Sequence, residues 1–419
     1  MDNQNTGLLE RDEFDLSDIL TPEELAEIER AAEAEIAPVA VPSPPVYEEE
    51  TAPIEEPAAV EIPEAEEEDN NEPAEAEEVR ETVEKARAKR PGIFRIVARV
   101  LSFVLATVVL VLCGALGGVY LLSRGPSESA RELFVLSLRE TSAAGFVTEI
   151  FLSDEEIALI EEANKPDDTL DEVDTSLITI ATREETEPGS PAQSEEVKEI
   201  EILDITGATF NGKLMIVRDP ERVIVGISNQ LGVVGQTLPG MIESYGGVGG
   251  VNAGGFDDPN GNGNGGIPLG IVIHEGELLS GANTRAATAV IDYDGILHVG
   301  NMTGNEAMAL NAEWAVSFGP VLVVNGEKCD GLSSGLNPRT AIGQRSDGAI
   351  LLLVVNGRQV GSMGATYEDL ADVMLEYGAV NALNLDGGSS SSMIYEGEYL
   401  NISSSLVGER PLPTGIIIR

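Results

Sequence analysis

Three short polar blocks near the C-terminus carry the residue types that could do chemistry. They are Asn-Ala-Gly-Gly-Phe at 252–256, Asn-Pro-Arg-Thr-Ala-Ile-Gly at 337–343, and Asn-Leu-Asp-Gly-Gly followed by four serines at 384–392. Each lies near strand-like apolar sequence that meets Gly-rich or turn-forming sequence, where folds usually present functional groups. Together they offer an amide, a guanidinium, a carboxylate, hydroxyl groups and glycine N–H groups. This set suits a phosphorylated sugar better than a protein or a nucleic acid.

Asp386 is the first candidate for a catalytic group. It follows the mostly apolar segment 380–385 and precedes Gly387 and Gly388, so its carboxylate should emerge at a strand end beside open backbone. Glycines there let a ligand approach main-chain N–H groups, which can hold an anion without positive charge. Ser389 and Ser390 are expected to donate hydrogen bonds to phosphate or sugar oxygens. The alternative is an Asp-Gly turn that its own side chain stabilises.

Arg339 and Asn252 are the companion candidates from the other two blocks. Arg339 is followed closely by apolar sequence and needs an anionic partner, and its planar fork matches phosphate or carboxylate oxygens. The alternative for Arg339 is a buried ion pair with one of the many acidic residues. Asn252 precedes Gly254 and Gly255 in a loop-like setting, where it is predicted to hydrogen-bond sugar hydroxyls or, alternatively, to satisfy turn backbone.

One segment resembles the first half of a calcium-binding loop. Asp258, Asn260 and Asn262 precede Gly263 at the right spacing, but the twelfth position is Leu269, where an EF-hand needs a bidentate glutamate. The sequence therefore excludes an EF-hand. It leaves a looser calcium site as one interpretation and favours a Gly/Asn-rich loop over the site. No other cofactor is indicated.

A serine-hydrolase triad is not favoured by the run of serines at 389–392. The G-x-S-x-G turn is absent, and His274 and His298 are the only histidines. Both lie in strand-like sequence near turns, so we expect structural or exposed roles for them.

Composition limits the partners. The formal net charge is −48, from 73 acidic and 25 basic residues. A nucleic-acid partner is disfavoured because phosphate contact needs clustered Lys and Arg. Two cysteines, Cys113 and Cys329, cannot form a disulfide framework or a Cys-rich zinc site.

A single transmembrane helix is predicted at about 100–122. This segment carries no charge and, at ~1.5 Å per residue, gives about 35 Å of helix, enough to span a bilayer. Basic residues concentrate before it, which predicts a cytoplasmic N-terminus and an extracytoplasmic C-terminal part. The segment begins too far from residue 1 for a cleavable signal peptide. The chain is therefore predicted to be a signal-anchored, single-pass protein of the cell membrane.

Four regions follow from this topology. Residues 1–90 are acidic and rich in Pro, Ala and Glu, which predicts a disordered cytoplasmic tail. A capping box at Thr21 there predicts a short helix, either a nascent helix or a dock for a cytoplasmic protein partner. Residues 91–124 are a basic flank and the membrane span. Residues 125–199 are predicted to be a helical stalk, with a capping box at Ser153, followed by an acidic linker.

Residues 200–419 are predicted to form the globular domain. Strand-like segments bounded by Asp-Gly or Asn-Gly turns dominate it, and the best helical segment is 367–377. Because strands dominate and helices do not alternate with them, we predict an α+β fold, a strand-rich domain with mixed sheets and few helices.

The three blocks, in this order and spacing, resemble the phosphodiester glycosidase family. The resemblance covers about residues 200–419, and Glu409-Arg410-Pro411 before the last strand is similar to the family's C-terminal arginine. The membrane-anchored form resembles bacterial members, which are often associated with exopolysaccharide.

The resemblance implies hydrolysis of a sugar that is joined through its anomeric carbon to a phosphodiester. A phosphomonoester is a good leaving group, so a general acid matters less than in ordinary glycoside hydrolysis. Arg339, with the Gly387 and Gly388 amides and Ser389, is expected to bind the phosphate, and Arg410 is a second candidate ligand. Asp386 is expected to act as base or electrostatic stabiliser.

Two questions stay open at this point. The second catalytic carboxylate is not identified, and the candidates are Asp257, Asp258, Asp292 and Glu409. The alternative function is a non-catalytic module that binds glycans or phosphosugars at the cell surface.

Overall fold

The structure is a computed structural model that describes residues 93–141, 144–166, 170, 172–180, 198–259, 263–402, 404–405 and 408–419. The predicted acidic tail, its short helix at Thr21, Asn260 and Asn262 lie outside the described residues. The α-helices are α1 (Ile93–Arg124), α2 (Glu128–Arg139), α3 (Asp154–Ala163), α4 (Leu238–Ser244), α5 (Gly304–Ala309) and α6 (Tyr367–Glu376). Short 3₁₀-helices lie at Gly145–Ile150, Thr175–Leu177, Pro220–Arg222 and Gly388–Ser390.

Helix α1 is long and apolar enough to cross a membrane, by length and composition. Its large side chains are exposed, with Phe103 at 75% and Leu110 at 73% of full exposure. Apolar side chains on all sides of a helix are unfavourable in water, so such a helix is typical of an apolar environment.

Helices α2 and α3 form the stalk, and their ends follow from local side-chain hydrogen bonds. The Ser127 hydroxyl accepts from the Ala130 amide at the start of α2. Ser153 and Glu156 form the complete capping box that the sequence predicted at the start of α3. Leu152 and Ile157 then pack together with Val135 of α2 in a small buried cluster.

Three antiparallel sheets make up the C-terminal domain. The strands are β1 (Ile200–Thr206), β2 (Asn211–Val217), β3 (Val223–Ile227), β4 (Gly249–Asn252), β5 (Val272–His274), β6 (Glu277–Ser280), β7 (Ala286–Asp292), β8 (Leu297–Met302), β9 (Ala312–Ser317), β10 (Val321–Val324), β11 (Glu327–Lys328), β12 (Arg339–Arg345), β13 (Ile350–Val355), β14 (Ala379–Leu385), β15 (Met393–Tyr395), β16 (Glu398–Tyr399) and β17 (Thr414–Ile418). The strand orders are β1-β2-β13-β12-β14-β10-β11, β16-β15-β4-β17-β3 and β6-β5-β9-β7-β8.

The predicted α+β, strand-rich class is confirmed. The sheets were expected to be mixed, whereas every pairing among the strands of the described residues is antiparallel. Asp-Gly turns explain part of this arrangement, since Asp294-Gly295 joins β7 to β8 and Asp347-Gly348 joins β12 to β13. Such tight hairpin turns can only join antiparallel strands.

Strand β13 shows how one sheet separates two cores. All six of its residues are buried, as its continuous apolar sequence requires. Ile350, Leu352 and Val354 enter a core that all three sheets share, whereas the alternate residues pack under helix α6. Because side chains alternate along a strand, a run of apolar residues fills both sides of the sheet at once.

The stalk packs against the C-terminal domain. The Ser137 hydroxyl accepts from the Leu336 amide at 2.9 Å, and Gly335 lies so close to Ser137 that an added Cβ would be 2.2 Å from its backbone. Part of the predicted linker is also attached, since the Thr179 amide donates to the Ser346 carbonyl at 2.8 Å and Ile178 is buried. Stalk side chains can therefore reach the domain's functional groups.

Candidate active site

The three polar blocks meet at the ends of three strands. Asn252 ends β4, Arg339 begins β12 and Leu385 ends β14. Thr340 pairs with Leu385 across the antiparallel register, which brings the second and third blocks together. The strands thereby place groups that are up to 134 residues apart along the chain in one region.

Asn252 joins the blocks from inside the protein. Its side chain is wholly buried, donates to the Asp386 carbonyl at 2.6 Å, and accepts from the Thr340 hydroxyl at 2.7 Å and the Ser392 amide at 3.1 Å. It was expected to orient a sugar directly, but these contacts make it a positioning residue for the turn that carries Asp386. The alternative that it satisfies turn backbone describes the geometry better.

Replacing Asn252 with Leu should therefore destabilise the domain before it changes substrate contacts. The variant leaves one buried and two part-buried polar groups without this partner, at about 1–3 kcal/mol for a fully buried group, so we expect a loss of about 2–4 kcal/mol in urea unfolding followed by the fluorescence of Trp314. Asn305→Leu, at an exposed asparagine that contacts Asn283, is the matched control and should cost little. Equal stability of the two variants would contradict this role.

A cavity of about 350 Å³ opens beside this junction. Its lining includes side chains from all three blocks and from the stalk: Glu140, Gly255, Phe256, Asp258, Leu269, Phe318, Asn337, Arg339, Arg358, Tyr367, Asp386, Gly387, Gly388, Ser389 and Ser390. The cavity therefore brings together most of the residues that the sequence singled out.

Asp386 presents an unusual carboxylate to this cavity. Burial raises its pKa to about 6, although hydrogen bonds from Ser390 and from the Gly387 amide, together with the charge of Arg410, oppose the rise. Its Oδ2 atom is buried and has no hydrogen-bond partner among the described residues. A carboxylate with a free oxygen and a pKa near 6 is suited to accept a proton near neutral pH.

The two glycine amides after Asp386 are already occupied. The Gly387 amide donates to Asp386 Oδ1 at 2.8 Å, and the Gly388 amide donates to the Pro338 carbonyl at 2.9 Å. The expectation that these amides hold a phosphate is therefore wrong for this arrangement. Their glycines matter sterically, because a Cβ at Gly387 would lie 2.8 Å from the Pro338 carbonyl oxygen and Gly388 has φ 61°.

The first-block glycines behave similarly. The Gly254 amide donates to the Thr414 hydroxyl at 3.0 Å, and the Gly255 amide donates to the Ser317 carbonyl at 3.1 Å. Gly255 lines the cavity, where a Cβ would meet the Phe318 ring at 2.8 Å, whereas Gly254 does not. These residues shape the site and their amides are not free for a ligand.

Arg339 forms the buried end of the cavity. Only 4% of it is exposed, its guanidinium lies 4.1 Å from the Tyr367 ring centroid, and it donates to the Gly335 carbonyl at 2.8 Å and the Ala365 carbonyl at 3.2 Å. Its charge is matched by Glu140, at 2.5 Å, from the residue that follows stalk helix α2. The structure therefore shows the ion pair, which was the alternative that the sequence offered for Arg339.

Glu140 is held as a bound anion would be. Besides Arg339, its carboxylate accepts from the Asn337 side-chain amide at 2.9 Å and from the Gly335 backbone amide at 3.0 Å. We call Arg339, Asn337 and the Gly335 amide the anion cradle. The carboxylate of Glu140 stands where the oxygens of another anion would find the same donors.

Arg358 extends over the cavity beside the anion cradle. It donates to Asn337 Oδ1 at 2.8 Å and to the Thr141 hydroxyl at 2.9 Å. Arg358 and Glu140 were not predicted from the sequence. The one sequence feature that could have pointed to Arg358 is its position directly after the Asn356-Gly357 turn. Neither belongs to a polar block, and Glu140 reaches the site only because the stalk folds back onto the domain.

Arg410 and Asp258 close the opposite side of the cavity. Two guanidinium nitrogens of Arg410 donate to the Asp258 carboxylate at 2.7 and 2.9 Å, and one also donates to the Ser389 hydroxyl at 3.0 Å. Burial raises the pKa of Asp258, but Arg410 and the Gly263 amide hold it below the usual value. Arg410 also lines an adjacent cavity of about 410 Å³ that shares Ser389 and Ser390.

Of the three candidate calcium ligands, Asp258 is the one that lies within the described residues. Both oxygens of Asp258 accept hydrogen bonds from Arg410, and among the described residues no group of three or more His, Cys, Asp or Glu side chains is arranged to hold a metal. A cation would have to displace a guanidinium from Asp258.

The two histidines and Asp292 lie apart from the cavity lining. His298 Nε2 is 2.7 Å from Asp292 Oδ2, and His274 Nδ1 is 2.8 Å from the Val225 carbonyl. Asp292 also accepts from the Asp294 and Ile296 amides of its turn. Asp292 is therefore a turn residue that also contacts His298, and among the four candidates for the second carboxylate Asp258 is the one that lines the cavity with Asp386.

The family model described as phosphodiester glycosidase matches residues 245–419. The C-terminal domain is therefore similar to the phosphodiester glycosidase family over these residues. This match contains all three polar blocks and Arg410, and it confirms the resemblance on which the sequence prediction rested. Glu140 and the rest of the stalk lie outside it.

Individual proteins and solved structures also match parts of the chain. A SPbeta prophage-derived uncharacterized protein, YomE, of Bacillus subtilis is 48% identical over 65 residues, or 16% of this chain and 10% of its own length. The catalytic domain of zebrafish N-acetylglucosamine-1-phosphodiester alpha-N-acetylglucosaminidase, described as auto-inhibited by its pro-peptide, is 22% identical with a TM-score of 0.45, covering 52% of this chain and 82% of that one. A hypothetical protein from Synechocystis is 17% identical with a TM-score of 0.43, covering 52% of this chain and 61% of that one.

Proposed function

We propose that the C-terminal domain hydrolyses the glycosidic bond of sugar-1-phosphodiesters. One observation carries the proposal: the same cavity holds an anion cradle that is already occupied by a carboxylate and, beside it, a free carboxylate oxygen on Asp386. The family match supports glycosidase-type hydrolysis of phosphodiester-linked sugars in general.

Each group that lines the cavity has a separate role in the proposed reaction. The phosphate takes the place of the Glu140 carboxylate in the anion cradle, and the sugar lies over the turn at 386–388 toward Ser389 and Ser390. Asp386 takes a proton from the attacking water or stabilises positive charge on the sugar. Asp258 is held in its ion pair with Arg410, so its role is electrostatic.

The proposed extracytoplasmic location of the reaction is supported by helix α1, which is long and apolar enough to span a membrane. We propose that α1 anchors the chain with residues 1–99 in the cytoplasm, which the basic residues before the span support. The substrate is then an extracytoplasmic surface glycan or exopolysaccharide. Protease treatment of intact cells should remove the C-terminal domain and spare an N-terminal tag; the reverse pattern would overturn this orientation.

The test of the reaction uses the full chain in lipid nanodiscs and a panel of sugar-1-phosphodiesters, including N-acetylglucosamine α-1-phosphodiesters, in ¹⁸O-labelled water. Label in the released sugar, with an unlabelled phosphomonoester, is the expected result because the C1–O bond breaks. Label in the phosphate would mean P–O cleavage and a different mechanism. Binding without turnover would favour the glycan-binding module.

Removing the charge of Glu140 should strengthen phosphate binding. Glu140→Gln frees the anion cradle of its resident anion, so we expect inorganic phosphate to inhibit turnover about tenfold more strongly, equivalent to ~1.4 kcal/mol. The measurement is the inhibition constant at constant ionic strength. The matched control is Glu161→Gln, which removes an exposed stalk carboxylate paired with Arg139. Unchanged inhibition in Glu140→Gln would show that the cradle is not the phosphate site.

A further inference from the structure

Arg358 lies between the anion cradle and the turn that carries Asp386. On one side its Nη2 atom donates to Asn337 Oδ1 at 2.8 Å. On the other side its guanidinium nitrogens would be 3.5 Å from a Cβ placed on Gly388. This is the region where the bond between a sugar over Asp386 and a phosphate in the cradle would have to lie.

The charge of Arg358 is unmatched, unlike those of the two other arginines at the site. Arg339 pairs with Glu140 and Arg410 pairs with Asp258, whereas Arg358 forms no ion pair within the part of the chain that the structure describes. It is more than a third exposed, so a ligand in the cavity can reach it. Partial burial of its guanidinium and the charge of Arg339 lower the pKa of Arg358. An anion bound beside Arg358 would therefore stabilise its charged form.

The backbone at Arg358 is held in a conformation that a side-chain-bearing residue rarely adopts. Its φ is 55°, and its amide donates to the Met363 carbonyl at 3.1 Å. Non-glycine residues in this region cost about 1–3 kcal/mol and cluster at functional sites. Arg358 therefore occupies this position beside the cavity despite the strain in its backbone.

The charge balance of the proposed reaction defines what such a cation would do. The C1–O bond breaks and its electron pair goes to the phosphate oxygen, so a phosphodiester monoanion becomes a phosphomonoester dianion. Water supplies the oxygen that bonds to C1, and its proton goes to Asp386 as base. One negative charge thus appears on the bridging oxygen as the bond breaks, without a general acid to neutralise it.

We propose that Arg358 is a catalytic residue that binds this departing oxygen and stabilises the charge that forms on it. The inference rests on the proposed function and extends it, because it makes the site selective for the dianionic leaving group. An interaction that strengthens only as the bond breaks lowers the barrier without tightening substrate binding. Arg358 should therefore act on kcat more than on KM.

The experiment compares the binding of methyl phosphate, a dianion at pH 8, and of dimethyl phosphate, a monoanion, to the full chain in nanodiscs by isothermal titration calorimetry, which does not need turnover. We expect the wild type to prefer methyl phosphate by about 30-fold, and Arg358→Gln to reduce this preference to a few-fold. In the same variant kcat should fall on the order of 100-fold while KM stays within about threefold. Arg358→Lys, which keeps the charge, should recover part of both effects.

Two controls separate this role from a structural one. Thr141→Val removes the stalk contact to Arg358 and should keep the wild-type preference, and Arg345→Gln removes an exposed guanidinium paired with Asp347. An unchanged preference in Arg358→Gln, or a raised KM with unchanged kcat, would overturn the inference while leaving the proposed hydrolysis intact. If no sugar phosphodiester is cleaved but the preference still depends on Arg358, the binding part stands and the proposed hydrolysis falls.

Discussion

Asp386→Asn should abolish turnover and at the same time stabilise the domain at neutral pH. The activity loss follows from the proposed role, since an amide cannot take the proton of the attacking water. A positioned general base is worth about 10²–10⁴-fold, so we expect kcat to fall about 10³-fold. The measurement is initial-rate kinetics on the sugar phosphodiester that the wild type cleaves best.

The stability gain follows from the raised pKa of Asp386. The carboxyl has a pKa of about 6 in the folded chain against its ordinary value of 3.8, so the folded state binds the proton more tightly than the unfolded state does. The contribution of Asp386 to stability is therefore greatest below pH 3.8 and is lost as the pH rises through 6. The difference between these two pKa values corresponds to ~3 kcal/mol. Asp386→Asn, whose amide is neutral, should regain this stability at pH 8.

Thermal unfolding of the full chain as a function of pH tests this sign. Trp314, the single tryptophan, is buried in the same domain and donates to the Val223 carbonyl at 3.0 Å, so its fluorescence reports the domain's unfolding. Asp386→Asn should melt together with the wild type near pH 4 and several degrees higher at pH 8. Asp347→Asn, at an exposed aspartate paired with Arg345, is the matched control. A variant less stable than the wild type at pH 8 would contradict the desolvation argument.

The same pKa predicts the acid limb of the activity profile. A base must be ionised, so kcat/KM should fall about tenfold per pH unit below pH 6 and level off above it. Arg410 and Asp258 also face Asp386, and Arg410 opposes the rise in its pKa. Arg410→Gln should therefore move the limb to higher pH. A limb that does not move would show that another group controls it.

Sequence reasoning succeeded where local chemistry determines structure. Continuous apolar segments such as 350–355, Asp-Gly hairpin turns and the capping box at Ser153 each became the predicted element. The same logic placed Asp386 directly after a buried strand. These features depend on neighbours in the chain, so one sequence is enough to recognise them.

The functional detail that was missed depends on partners distant in the chain. Glycines after Asp386 indicate open backbone, but only the fold shows that Pro338 takes the Gly388 amide. Asn252 was read as a sugar ligand because its own neighbours could not reveal Thr340 and Ser392 as its partners. Glu140 is one of many acidic residues in the sequence. It reaches the site because α2 packs against Gly335, which the sequence does not reveal.

The ion pair of Arg339 and Glu140 gives the second large effect, on stability and activity together. Arg339→Met leaves Glu140 without its counter-charge in a site where Arg339 itself is 4% exposed. The Glu140 side chain is itself 25% exposed, so water partly screens the charge that remains and the cost should fall below the ~3–5 kcal/mol of a fully buried pair. We expect this smaller loss in urea unfolding and no measurable turnover.

The double variant Arg339→Met/Glu140→Gln separates the two consequences. With both charges gone, most of the lost stability should return, since an uncharged pair leaves no isolated ion. Turnover should stay absent, because the anion cradle has lost its guanidinium. The exposed pair of Arg139 and Glu161 is the control cycle, with a coupling of at most about 1 kcal/mol. Recovery of activity with stability would show that Arg339 serves only to dock the stalk, and the phosphate would then have to bind at Arg410.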